Sequence, residues 1–299
     1  MPKSLPSLQR LRALEAVARL GGFSAAAQEL LLTQSAVSNQ IRRLEDETGV
    51  LLVERIGKTA KPTPEGQMLI ASAKRILGEL ETTLQHLADM QGEVTGRFVM
   101  GGGGVASTYY LPPLLVRFAD AYPKVEVVLH TGHTPELTRG LFDGTIDMIV
   151  ASEPVADPRL AVEHFAEDRQ VCVMPPGDDT RLKAVRPRDF AGRRLVLFEK
   201  GGLLGALADA WLEAGGMGGR AGERAPSILD VSLAEAQKSF VIAGFGWSIA
   251  PEISVAREVA FGLMRALPLD PPLSRPLTVA WRRDREANPA IKAMRGVLG

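Results

Sequence analysis

Two units of different grammar are predicted along this 299-residue chain. The first is an N-terminal all-α winged helix-turn-helix followed by a long linker helix. The second is a C-terminal α/β domain of two lobes. Three observations predict them. Residues 33–45, TQSAVSNQIRRLE, carry an apolar stripe at helical period and a small polar face opposite it. From Pro64 to about residue 90 the helical pattern is unbroken. From residue 97 onward, short β-rich runs alternate with helical ones.

Residues 8–20, LQRLRALEAVARL, place apolar side chains at helical spacing, and Gly21 and Gly22 stop that helix. Ser24 is the expected cap of a short second helix, whose alanines allow close helix–helix contact. Leu31 and Leu32 lead through a tight connection to Thr33, the expected cap of a third helix. On that helix Val37, Ile41 and Leu44 recur at i, i+4 and i+7, fit for burial. Ser35, Ser38, Asn39 and Arg42 fill the other side. An ordinary solvated face would carry Glu and Lys; these short groups let the backbone approach a partner closely. Helix, helix, turn, helix is the helix-turn-helix pattern. VLLVERIGKTAKPTPEG follows, two short extended arms flanking Gly57 and Lys58. Arg55, Lys58 and Lys61 make this hairpin a basic wing.

The formal net charge is +0 and the pI about 6.9, so no global basic signal exists and a nucleic-acid footprint must be local. Residues 1–66 hold nine Lys/Arg and seven Asp/Glu, a difference of about +2. Placement carries the argument. Arg42, Arg43, Arg55, Lys58 and Lys61 line one side, whereas Glu45, Asp46 and Glu47 end the third helix away from its reading end.

In the long helix, Leu69, Ala73, Ile76, Leu80, Thr83, Leu87 and Met90 step by 4 and 3 alternately, a heptad seam that Leu77 and Leu84 widen. The alternative is a helix lying on its own domain. A helix this long between two units has little of its own chain to cover it, so the expected interface is a second subunit, through Leu69, Ala73, Ile76, Leu80, Leu84 and Leu87.

Beyond residue 97 the expected strands are RFVMGG, VEVVLHT, IDMIVAS, QVCVMP, RLVLFE, WSIAPE and PLTVAW, in a mostly parallel sheet. VMGGGGVAST is not a phosphate loop, because no Gly-Lys-Ser/Thr follows. As a dinucleotide fingerprint it lacks a placed acid, since Glu126 begins the next strand. The reading kept is a first strand ending in a turn, with Ser107 and Thr108 at a helix N-terminus that favours an anion, or acting as simple caps. Thr131, Ser152, Glu199 and Ser227 are expected at carboxyl ends of strands, where open α/β sheets bind ligands. Together they outline one cleft. No metal site, cofactor or catalytic constellation is expected: His130 and His133 have no further ligand spacing, and no nucleophile elbow occurs. The lone Cys172, in a strand, excludes a disulfide framework and a two-cysteine redox switch. No signal-like apolar run and no 18-residue apolar stretch is seen, so a cytoplasmic protein with no membrane association is expected.

These residues resemble the LysR-type transcriptional regulators along most of the chain. GGFSAAAQELLLTQSAVSNQIRRLEDETGVLLVER and KPTPEGQMLI carry the resemblance at the N-terminus. LPPLLVRFADAYPKVEV, LFDGTIDMIVA and VIAGFGWSIAPE carry it further on. Val53, where the family usually has Phe, departs from the pattern at a packing position. The resemblance implies a periplasmic-binding-protein-like, two-lobed effector domain, with a small-molecule effector, anionic in character, between the lobes. Ser107 and Thr108 would match its first-strand polar pair and Thr131 its second-strand hydroxyl. It also implies double-stranded DNA as partner, a linker-helix homodimer and assembly to a homotetramer, with RNA polymerase a further candidate partner. The expected division is 1–63 for the DNA-binding domain, 64–91 for the linker helix and 92–299 for the effector domain. Lobe I takes about 92–166 and 268–299, and lobe II about 167–267. Gln34, Ser35, Ser38, Asn39 and Arg42 are expected at the major groove, and Arg55, Lys58 and Lys61 at phosphate or minor groove. The rival is a periplasmic-type binding module without DNA function, against which the wing and the polar helix face stand.

Overall fold

The computed structural model of the chain describes residues 5–56, 59–89, 94–199, 202–217 and 227–298, without the side chains of 55, 56, 81, 82 and 85–89. The first helix, α1 (Leu8–Leu20), ends at Gly21, which takes the left-handed conformation. Helix α2 (Phe23–Glu29) follows at once, with extended Gly22 as its cap. Ser24 therefore lies inside the first turn and does not cap; the reversal at Gly21 starts the helix two residues earlier than the Ser signal suggested. Thr33 does cap α3 (Gln34–Thr48), its hydroxyl accepting the Ala36 amide at 3.2 Å. Val37, Ile41 and Leu44 are buried with Leu14, Val17, Leu52 and Val53 in one core.

The wing pairs β1 (Val53–Ile56) antiparallel with β2 (Thr59–Pro62). Gly57 and Lys58 lie outside the described residues. Thr63 then joins wing to linker. Its hydroxyl donates to the Leu51 carbonyl at 2.7 Å and accepts the Gly66 amide at 3.0 Å, capping α4 (Pro64–Asp89). A Cβ at Gly66 would sit 2.0 Å from the Leu52 carbonyl oxygen, so only glycine lets the helix pass.

Lobe I starts with β3 (Gly96–Gly102), a π-helical turn at Ala106–Tyr110 and α5 (Leu111–Ala121). It continues with β4 (Val125–Thr131), α6 (Thr134–Phe142) and β5 (Met148–Ala151). A long strand, β6 (Leu160–Met174), passes into lobe II. There lie β7 (Leu195–Phe198), α7 (Leu203–Ala214), β8 (Ile228–Val231), α8 (Ala234–Ile242), β9 (Trp247–Pro251) and α9 (Glu252–Ala260). A second long strand, β10 (Arg265–Arg282), returns to lobe I, and α10 (Pro289–Leu298) packs there.

The eight strands run in the order β4-β3-β5-β10-β6-β9-β7-β8. The expectation of a mostly parallel sheet needs correcting. Parallel pairing is confined to the flanks, β3 with β4 and β5, and β7 with β8 and β9. The centre is antiparallel, because β6 leaves lobe I and β10 returns beside it. Both run far past the expected 170–175 and 276–281. Charged and proline-rich stretches such as EHFAEDR and LDPPLSRP hide strands that ladder pairing imposes. The crossover also falls later in β10 than residue 268: Leu269 is buried in the lobe II core and pairs with Val185.

Where the ladder changes lobes, Asp168 faces Arg275. Asp168 is fully buried, accepting from Arg275 Nε at 2.7 Å and from the Tyr110 hydroxyl at 3.1 Å. Arg275→Met should strand that carboxylate and cost about 3–5 kcal/mol in urea unfolding, whereas Asp168→Leu with Arg275→Met should recover most of the loss.

Candidate DNA interface and ligand cleft

On α3, Gln34, Ser35, Asn39, Arg42 and Arg43 are exposed and Ser38 half-buried. Among the described residues Arg42 and Arg43 are found in no ion pair. A groove of about 480 Å³ between α3 and the wing is lined by Ser38, Arg42, Glu45 and Glu54. Lys61 is exposed on β2; the side chain of Arg55 and the whole of Lys58 lie outside the described residues. The acidic end of α3 has work that sequence reasoning missed. Glu45 Oε1 accepts the amides of Leu52 at 2.9 Å and Val53 at 3.3 Å, holding the wing to the helix. Glu47 pairs with Arg10 of α1.

The linker helix divides differently from the expected seam. Ala73 is fully buried and Leu69 partly so, both against the winged-helix core. Ala73 is corrected: α4 begins by lying on α1, which takes it off any free face, and Leu69 is partly covered there. Ile76, Leu80 and Leu84 remain exposed and apolar, while Leu87's side chain lies outside the described residues. On the opposite side of the helix, Gly78 meets lobe I, where a Cβ would come within 3.1 Å of the Gly144 carbonyl oxygen. Arg285, almost fully buried, donates to the Gly78 carbonyl and to Asp147 Oδ1, each at 3.4 Å. Asp147 Oδ2 accepts the Val99 amide of β3 at 2.8 Å. Burial raises the Asp147 carboxyl above its usual value, against the pull of Val99's amide and Arg285. Charged residues beside an apolar strand were the available signal for this contact.

In lobe I the carboxyl ends of β3, β4 and β5 lie side by side. Gly102 pairs with Thr131 and with Val150, two residues before Ser152. Ser152 Oγ lies 3.9 Å from where a Gly103 Cβ would be. The roles of Ser107 and Thr108 change. The chain is helical from residue 104, so neither caps a helix. Ser107 donates to the Gly102 carbonyl at 3.0 Å and Thr108 to the Gly104 carbonyl at 2.7 Å. The amides without an intrahelical acceptor are then those of 104–106. In lobe II, Glu199 is exposed just past β7, its amide bonded to the Val231 carbonyl at 2.9 Å. Ser227 is a miss. It precedes β8 and its carbonyl accepts the Leu195 amide at the start of β7, so it sits at the other end of the sheet from Glu199. Cys172 is fully buried, and burial pushes its thiol well above the usual range. Among the described residues, no three His, Cys, Asp or Glu are placed to hold a metal, and no helix is long and apolar enough to cross a membrane.

A winged helix with an exposed polar helix face, joined by a long helix to an α/β domain of two lobes, defines a DNA-binding regulator with a substrate-binding domain. The chain belongs to the LysR family of bacterial transcriptional regulators: residues 8–67 match the bacterial regulatory helix-turn-helix protein, lysR family, and residues 91–299 the LysR substrate binding domain. It is 31% identical to the HTH-type transcriptional regulator CbbR of Sinorhizobium medicae, over 96% of this chain and 90% of that protein. To the probable RuBisCO transcriptional regulator of Cyanidioschyzon merolae it is 28% identical, over 88% of each. Its fold is similar to a variant of full-length OxyR from Pseudomonas aeruginosa, with a TM-score of 0.74 and 20% identity over 99% of this chain and 95% of that one. CbnR, a LysR family transcriptional regulator, gives a TM-score of 0.71 at 22% identity, over 98% of both chains. The chain is thus a transcriptional regulator, as its relatives are, and not an enzyme.

Removing the Glu45 carboxylate, as in Glu45→Ala, should leave two amides at the start of the wing without their acceptor. A loss of about 1–3 kcal/mol is expected in chemical unfolding. Hydrogen exchange at Leu52 and Val53 should speed up beyond the global change.

Proposed function

We propose that Gln34, Ser35, Ser38, Asn39 and Arg42 read base edges in the major groove, and that Arg55, Lys58 and Lys61 contact phosphate or the minor groove. The observation that carries this is the exposed face of α3. Its Ser, Asn and Arg groups are held by an apolar back and a capped N-terminus, and Arg42 is in no ion pair among the described residues. The division is a DNA-binding domain over 1–63, a linker helix over 64–91 and an effector domain over 92–299. Because Leu269 packs in lobe II, the return to lobe I falls near residue 274.

The effector is a small anionic molecule bound between the lobes. Ser107, Thr108, Thr131 and Ser152 shape the lobe I wall and Glu199 the lobe II wall. The anion preference is supported by the first-turn amides of 104–106, where a helix dipole favours negative charge. Its differential affinity for two lobe arrangements shifts the DNA contacts. The protein works in the cytoplasm as a homodimer through Ile76, Leu80, Leu84 and Leu87, assembles to a homotetramer on DNA and meets RNA polymerase there.

The operator is first recovered from genomic fragments bound by the chain, and affinity is then measured across salt concentrations. Arg42→Ala should cost about 1–3 kcal/mol on the operator and little on unrelated DNA. Lys61→Ala should weaken both alike and flatten the salt slope by roughly one. No loss in either variant would remove the winged helix from the interface.

Leu80 is 38% exposed in the single chain, so a Glu there is solvated unless a second subunit covers it. Leu80→Glu should therefore leave each chain folded but shift sedimentation to monomer, with operator affinity falling because two half-sites need two heads. Sedimentation identical to the parent chain would place the interface elsewhere.

A further inference from the structure

The turn Ala106–Tyr110 ends in two tyrosines that leave lobe I in different directions. Tyr110 reaches the crossover, where its hydroxyl donates to Asp168. Tyr109 reaches the other lobe, where its hydroxyl donates to Glu235 Oε1 on the first turn of α8. The same carboxylate oxygen lies 2.8 Å from Lys238 Nζ. Lys238 also meets Glu258 of α9 at 2.7 Å, and its ammonium stands 5.4 Å from the centroid of the Tyr109 ring. Lys238 is only 5% exposed.

Burial alone would depress this ammonium, but its bonds to Glu235, Glu258 and Tyr109 hold it above the ordinary lysine range. Lys238 and Tyr109 in turn keep the Glu235 carboxyl low. Burial, then Glu235, raises the Tyr109 phenol. Near neutral pH the phenol is thus a donor, and it faces a carboxylate and a cation at once. Tyr109 follows Thr108 directly, and α8 begins just past the carboxyl end of β8. The contact therefore spans the mouth of the cleft between the strand ends of the two lobes. Lys238, Glu235 and Glu258 all belong to lobe II, so they stay together when the lobes part. Opening breaks the Tyr109 hydrogen bond and its ring–ammonium contact. A wide π turn at this point fits a helix deformed to aim side chains.

We propose that Tyr109 is a positioning residue for the ligand response, closing with Glu235 and Lys238 a clasp that holds the two lobes together. The inference rests on reading the cleft as the effector site only for what closure serves. Closure itself is measured without ligand, so failure of that reading leaves the result intact, and failure of the clasp leaves the cleft available as a site.

The test uses full-length protein with Glu126→Cys on β4 and Glu213→Cys on α7, both exposed, carrying spin labels. Cys172 is fully buried and stays unlabelled in the folded chain. Labelled chains are diluted with unlabelled ones so that pulsed electron paramagnetic resonance reads distances within one subunit. The parent should give one narrow distribution. Tyr109→Phe and Glu235→Gln should each move it to longer distances with unchanged melting of the winged-helix domain, and the double variant should open no further than the more open single one. An unmoved distribution in either single variant, or shifts that simply add, would overturn the clasp.

Discussion

The regulatory half of the molecule depends on two strands, β6 and β10, that both lobes share. They pair along almost their whole length, so neither lobe closes its sheet without the other. The register shifts between Pro268 and Leu273 and again at Leu277, and these bulges are where a continuous ladder can bend. Asp168 and Arg275 sit between them. A buried ion pair is tolerated only where its desolvation is offset by good geometry and further hydrogen bonds, and Tyr110 adds one to the carboxylate. The crossover is thus stiff in pairing and bent in direction, which suits a joint between two rigid lobes.

From that joint a continuous set of contacts leads outward. The strand β3 ends at the lobe I wall of the cleft, and its Val99 amide is held by Asp147. Asp147 meets Arg285, and Arg285 meets the backbone of the linker helix at Gly78. A displacement of β3 in the cleft would therefore be felt where α4 crosses lobe I. This is a spatial chain of packed polar groups; coupling along it is a question of energies, which double-variant cycles measure.

At the DNA-binding end, signature residues have identifiable jobs. Thr63 ties the Leu51 carbonyl to the first turn of α4, and Gly66 leaves room for the Leu52 carbonyl. Glu45 supplies the acceptor for the two amides that open the wing. The consequence is that α3, wing and linker helix are tied together, since each is bonded to the stretch 51–53. The polar face of α3 is then presented by packing behind it, with Val37, Ile41 and Leu44 buried in the core.

The sequence by itself determined the elements whose signals are local. Helical period set α1, α3 and α4, because one face of each is buried at a spacing of about 3.6 residues. Thr33 marked a helix start because capping is a contact within one turn. The winged helix and the strand ends at Gly102, Thr131 and Ser152 were legible for the same reason. Tertiary structure alone decided what depends on partners distant in sequence. Charged residues and prolines in β6 and β10 give no β pattern, and only the ladder between the two strands, which brings together residues about a hundred apart, makes them strands. Ser227 was read as following a strand, whereas β8 begins just after it at Ile228; which short run near it becomes the strand is decided by pairing with β7. Ala73 fits a heptad as well as Leu80 does; whether a seam position faces its own core or open solvent depends on where α1 lies. The Tyr109 contact with Glu235 could not be read either, since it exists only when two separately folded lobes are brought together by the strands they share.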